Sequence, residues 1–103
     1  MYLVQLFLPL RDNSGEAFPR ERFATVTAEI TERFGGMTAY VRSPAIGLWK
    51  EAGEEPTKRD ELVVYEVMIE ELDVEWWRHY RLSLEERFRQ ESIVVRSQEI
   101  RLL

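Results

Sequence analysis

The sequence has no cysteine. That excludes a disulfide, a thiol nucleophile and a zinc–thiolate site together. There is one histidine, His79, so a metal would need an all-carboxylate cage. The acids Glu70, Glu71 and Asp73 do cluster, but they read as a solvated loop at a strand end. Long apolar runs are also missing. The most apolar stretch, MYLVQLFLPL at residues 1–10, is too short to span a bilayer. It has no basic flank and no small-residue cleavage site, so it does not read as a signal peptide. The cytoplasm is therefore the expected compartment, and no membrane partner is expected. An excess of positive charge is missing too: 14 Lys and Arg stand against 19 Asp and Glu, for a net charge of −5. A nucleic-acid backbone needs a basic stripe, so no nucleic-acid partner is expected. The phosphate-cradling and metalloprotease motifs are lacking, as is a nucleophile elbow, and no cofactor is expected.

The residues that are present describe a small folded domain. Of 103 residues, 45% are hydrophobic, and three Trp, four Tyr and five Phe are among them. A chain of this size buries roughly two-thirds of its unfolded surface, enough for one core. Residues 1–103 read as one domain. Charges of both signs are interleaved, as on a solvated surface.

Residues 2–10 read as a strand. RDNSG at 11–15 is turn chemistry. Pro19 suits a first helical turn. Phe23, Val26, Thr27, Ile30 and Phe34 then recur at helical spacing until Gly35 and Gly36 end the helix. MTAYV at 37–41 alternates like a strand. Pro44 and Gly47 interrupt the next stretch, so 46–50 is a separate strand piece or an irregular extension. EAGEEPTKRDE at 51–61 reads as a polar loop, and LVVYEVMIE at 62–70 as the strongest strand. Asp73 is a good N-cap for a helix running to about Gln90. SIVVRSQEIRLL at 92–103 closes the chain as a strand, bent near Ser97.

The order β-α-β-β-α-β is that of the ferredoxin-like split βαβ arrangement. The expected fold is thus α+β: a four-stranded antiparallel-type sheet with two helices on one face. Side chains alternate along a strand. Val63, Tyr65, Val67 and Ile69 belong under the helices, and Leu62, Val64, Glu66 and Met68 on the open face. The same alternation puts Leu3, Gln5 and Phe7 on the open face, with Thr38, Tyr40 and Arg42, and with Val94, Arg96 and Gln98. That surface is too apolar to leave in water. A second copy is the expected cover, giving a homodimer through the open face.

With this order, these two-faced strands, a WW-containing second helix before a final VVR strand, and the stretch GGMTAYVRSPAIGLW, the chain resembles the dimeric α/β-barrel superfamily, and within it small uncharacterised bacterial members. The resemblance implies two ferredoxin-like domains packed sheet on sheet. Cofactor-free monooxygenases, lactone isomerases and haem-handling enzymes all belong to that superfamily, so it implies the fold far better than the chemistry.

Two places invite a functional reading. In DVEWWRHY, residues 73–80, Trp76, Trp77, Tyr80, Leu84 and Phe88 fall within an arc of about 120° at about 100° per residue, a core stripe. His79 lies outside the stripe, with Glu75 four residues before it as a pairing candidate. A haem ligand or proton shuttle at His79 is the sharper reading, and two packing tryptophans beside a flank histidine the plainer one. Glu66 is the stronger candidate. A carboxylate amid β-branched residues is costly to bury unless paired. Arg42 and Arg96 are candidate partners, with Gln5, Tyr40 and Gln98 near them. Such a cluster is either a structural ion pair or a cavity in which Glu66 serves as base or anchor. The leading expectation is a small organic molecule bound on the open face. Alternatives are a cofactor-free monooxygenase- or isomerase-like enzyme using Glu66, and a small-ligand sensor or regulatory module.

Overall fold

The computed structural model describes residues 1–36, 38–49 and 58–103, with side chains described outside 37–61. In chain order the elements are β1 (Tyr2–Pro9), α1 (Arg20–Phe34), β2 (Thr38–Trp49), β3 (Lys58–Ile69), α2 (Val74–Arg87) and β4 (Val95–Glu99). The sheet order is β2-β3-β1-β4, and each neighbouring pair is antiparallel.

The expected fold class is corrected in its sheet. Residues 92–103 were expected to supply a full fourth strand of a ferredoxin-like half-barrel. The body of the sheet is instead three long antiparallel strands, β2, β3 and β1, and the C-terminal segment adds only the five-residue β4 along β1. The segment just before β4 packs against α2. Ile93 is drawn into the core at 3% exposure, and its N–H donates to the Glu85 carboxylate at 2.9 Å. These contacts fasten the segment before β4 to α2. The chain remains α+β, with two helices and one sheet.

Other boundaries move for local reasons. β2 runs from Thr38 to Trp49, so the stretch expected as a separate strand piece or an irregular extension continues one strand, and its register against β3 shifts between Tyr40 and Ala45. A bulge of this kind absorbs Pro44 without ending the pairing. β3 begins at Lys58, inside the stretch expected to be loop. The rest of that expected loop, residues 50–57, lies outside the described residues. α2 stops at Arg87 rather than Gln90, because Arg89 adopts a positive φ of 52° and Gln90 N–H closes back on the Glu85 carbonyl at 2.9 Å.

The local chemistry that shapes these elements is legible. Asp12 Oδ1 accepts from the N–H groups of Ser14 and Glu16, each at 2.9 Å, and Gly15 lies between them at φ 90°. This turn delivers the chain to Pro19, the N-cap of α1. Gly35, at φ 78°, closes α1 by donating to the Thr31 carbonyl, since only glycine takes the left-handed region without penalty. Asp73 caps α2, its Oδ1 accepting from Trp76 N–H at 3.1 Å.

The core lies between the sheet and both helices. Val4, Leu6 and Leu8 of β1 lie opposite Val67, Tyr65 and Val63 of β3, and these, with Ile69, pack beneath Val26 and Ile30 of α1 and Trp77, Tyr80 and Leu84 of α2, all buried. Each large aliphatic chain so buried contributes about 1.5–3 kcal/mol. Phe34 stacks on Trp77 at 5.2 Å between centroids and meets Trp76 edge-on at 5.4 Å, which fixes the ends of the two helices together. Among the described residues, no helix is long and apolar enough to cross a membrane.

Candidate functional site

The open face of the sheet carries one polar row. Gln5, in the middle of β1, is opposite Glu66 of β3 on one side and Arg96 of β4 on the other. The alternation that buries Val4 and Leu6 forces Gln5 outward, and the antiparallel register places its two partners abreast of it. Gln5 Nε2 donates to Glu66 Oε2 at 2.5 Å, and Arg96 Nε donates to Gln5 Oε1 at 2.8 Å. The amide orientation is fixed chemically, because a guanidinium only donates and a carboxylate only accepts. The result is a three-residue relay, cation to amide to anion, along one line across three strands.

This differs from the expected pairing. An arginine was expected directly on Glu66, and the amide of Gln5 stands between Glu66 and Arg96. Arg96 also lies over the Phe7 ring, 4.8 Å from its centroid, so one guanidinium serves both the relay and a cation–π contact. Glu66 is half-buried, as are Gln5, Phe7 and Val64, while Arg96 is exposed. Glu66 Oε1 has no hydrogen-bond partner among the described residues. Gln98 sits opposite Leu3, two residues further along the same face, exposed and without a hydrogen bond among the described residues. In backbone register Tyr40 pairs with Val64, and Thr38 with Glu66. Arg42 falls in the register shift of β2. The side chains of Tyr40 and Arg42 lie outside those described.

The tryptophan stretch resolves into packing. Trp77 is buried and Trp76 half-buried, the latter stacked on Tyr80 at 4.9 Å and covered by the Arg33 guanidinium at 4.1 Å. His79 is exposed on α2. Glu75, considered as its partner, pairs with Arg78 at 2.9 Å instead. Asp73 serves as the α2 cap. Among the described residues, no group of three or more His, Asp or Glu is placed to hold a metal ion.

One ionic cluster escaped the sequence reading. Arg87 of α2 binds Glu29 of α1 through both guanidinium ends, at 2.5 and 3.0 Å, and Tyr80 donates its hydroxyl to the same carboxylate at 2.9 Å. The Arg87 hydrogen bonds hold Glu29 below the usual carboxylate range. Burial, and then the Glu29 hydrogen bond, push the Tyr80 hydroxyl well above its ordinary value. A phenol so held stays protonated, and a carboxylate so held stays ionised. Neither is poised for proton transfer near neutral pH, and the cluster acts as a clamp between helices. The helical spacing of Arg87 and Tyr80 gave one weak signal, since they lie seven residues apart on one face.

No protein-family model matches the sequence, and no curated protein does. Among solved structures, the chain is similar to a phage SAM lyase in complex with S-methyl-5'-thioadenosine, with a TM-score of 0.60 and 21% identity over 95% of this chain and 80% of that one. The apo state of a phage SAM lyase gives a TM-score of 0.53 at 21% identity, over 94% and 78%. At such identity the likeness is one of fold. It supports a small α+β fold and shows no family.

Proposed function

We propose that the chain binds a small organic molecule on the open face of its sheet, with Glu66 as the anchor. The observation that carries this is the state of Glu66: one oxygen is held by Gln5, the other is unclaimed among the described residues, and apolar side chains flank it. A structural ion pair would satisfy both oxygens with an arginine. Here Arg96 is kept one residue away, and the second oxygen offers an acceptor to a hydroxyl, an amine or a cationic centre. Leu3, Phe7 and Val64 supply the apolar contact that small-molecule sites use beside a few placed polar groups. The guanidinium of Arg96, already over the Phe7 ring, suits a planar ring.

A nucleoside-like thioether is the first candidate. S-Methyl-5'-thioadenosine combines ribose hydroxyls, a flat base and an apolar methylthio group, and it occupies a protein of similar fold. The wall facing the sheet is proposed to be a second copy of the chain. The motive is the apolar surface of the open face, where Met68 and Val94 are 52% and 54% exposed. The outcome expected on titrating the protein with S-methyl-5'-thioadenosine is saturable binding, with the largest amide chemical-shift changes at the centres of β1, β3 and β4. Shifts confined to the helical side would contradict the assignment.

A further inference from the structure

The outer edge of β4 carries a second surface, distinct from the open face. Phe7 N–H donates to the Val94 carbonyl at 3.0 Å, and Ile100 N–H donates to the Met1 carbonyl at 2.9 Å. Hydrogen-bonded pairs alternate along an antiparallel ladder. Residues 94, 96, 98 and 100 therefore turn their backbone groups toward β1, and Val95, Ser97 and Glu99 turn theirs outward. β4 is the last strand of the sheet, and these outward groups have no partner among the described residues. They form a row of donors and acceptors that repeats every two residues, about 6.6–6.8 Å.

A groove of about 270 Å³ runs between this edge and α2. Val4, Leu72, Val74, Trp77 and Val95 line it with apolar surface, Arg78 and Arg81 add positive charge with Arg96 at the β4 side, and no carboxylate among the described residues lines it. Arg78 pairs with Glu75, and Arg81 with Glu85, each through one nitrogen. Each guanidinium keeps further donors.

We infer that this edge and groove take an extended acidic–apolar peptide by strand addition. The periodic backbone row fits an extended chain and has no counterpart in a compact ligand. The groove is slightly smaller than the usual range for small-molecule pockets, about 300–1,000 Å³, but it has room for single side chains. A strand laid along β4 turns alternate side chains toward α2. Apolar ones meet Leu72, Val74 and Trp77, and acidic ones meet Arg78 and Arg81. The short length of β4 and its charged residues Arg96 and Glu99 limit indiscriminate pairing, which leaves recognition to the groove.

The test uses a fluorescein-labelled peptide repeating Thr-Glu-Thr-Val, whose Glu and Val share one face of a strand, against the full chain. Saturable binding by anisotropy is expected, with slowed amide exchange at Val95, Ser97 and Glu99. A Thr-Lys-Thr-Val peptide is expected to bind at least about tenfold more weakly. Ser97→Pro removes an outward N–H and no ladder bond, so it should abolish binding while leaving thermal unfolding unchanged. Arg78→Ala with Arg81→Ala should weaken the glutamate peptide and leave the lysine peptide unaffected. Glu66→Gln should have no effect, which separates this surface from the open face. The inference is overturned if the peptide fails to saturate, or if Ser97→Pro binds it as well as the natural sequence does. It is also overturned if those amides gain protection with rising protein concentration and no peptide, since the edge would then belong to a second copy.

Discussion

Tyr80 of α2 donates its hydroxyl to Glu29 of α1 across 2.9 Å, and Arg87 grips the same carboxylate from two turns further along α2. This clamp ties the two helices together above the sheet. Its stabilising effect depends on pH in a definite direction. Glu29 is held below its ordinary range in the folded chain, chiefly by the Arg87 hydrogen bonds. Its contribution is therefore fully present above the unfolded carboxylate value, about 4.3, and is lost as pH falls through the lower folded value. The Arg87 and Glu29 side chains are 31% and 38% exposed, so solvent screens the pair and the effect should stay near about 1 kcal/mol. In urea unfolding, Glu29→Gln should be less stable than the natural sequence near neutral pH, and the gap should close as pH falls below the ordinary carboxylate range. A gap that stays constant would show that the carboxylate charge contributes nothing.

The paired tryptophans should separate from the histidine beside them. Trp77 is 6% exposed and wedged between Phe34 and Tyr80. Trp77→Ala should cost about 3–5 kcal/mol in chemical denaturation. His79 is exposed, and His79→Ala should change stability by less than about 0.5 kcal/mol. A large loss at His79, or a haem absorbance band that disappears with it, would reverse the reading of this stretch.

The sequence made the two faces of the strands legible, because a period of two is unambiguous in LVVYEVMI. Val63, Tyr65, Val67 and Ile69 are all buried, while Leu62, Val64 and Glu66 are half-buried and Met68 is exposed. The core stripe of α2 was legible for the same kind of reason. The topology put Gln5 beside Glu66, as the register shows. What alternation cannot encode is side-chain reach. The amide of Gln5 interposes itself because its length spans one interstrand gap on each side, and the pattern of residue types does not specify that. The Glu29 clamp was hidden because its members are 51 and 58 residues apart, and each taken alone reads as a solvated helix residue.

Self-association should run through the open face. Met68 and Val94 on that face are 52% and 54% exposed. Sedimentation at micromolar concentration should show a dimer, and Met68→Lys should shift it to monomer without unfolding the chain. A monomeric natural sequence, or a dimer indifferent to Met68→Lys, would contradict the second-copy wall.

The most direct test of the central claim is calorimetric titration of S-methyl-5'-thioadenosine into the natural sequence and into Glu66→Gln. The substitution keeps the shape and removes the charge of the anchor. Gln5 and Arg96 remain in place, so thermal unfolding should be nearly unchanged. The expected result is measurable binding to the natural sequence, weakened at least about tenfold in Glu66→Gln, or about 1.4 kcal/mol. Equal affinity in the two proteins, or no binding to either, would contradict the assignment of Glu66 as a ligand anchor.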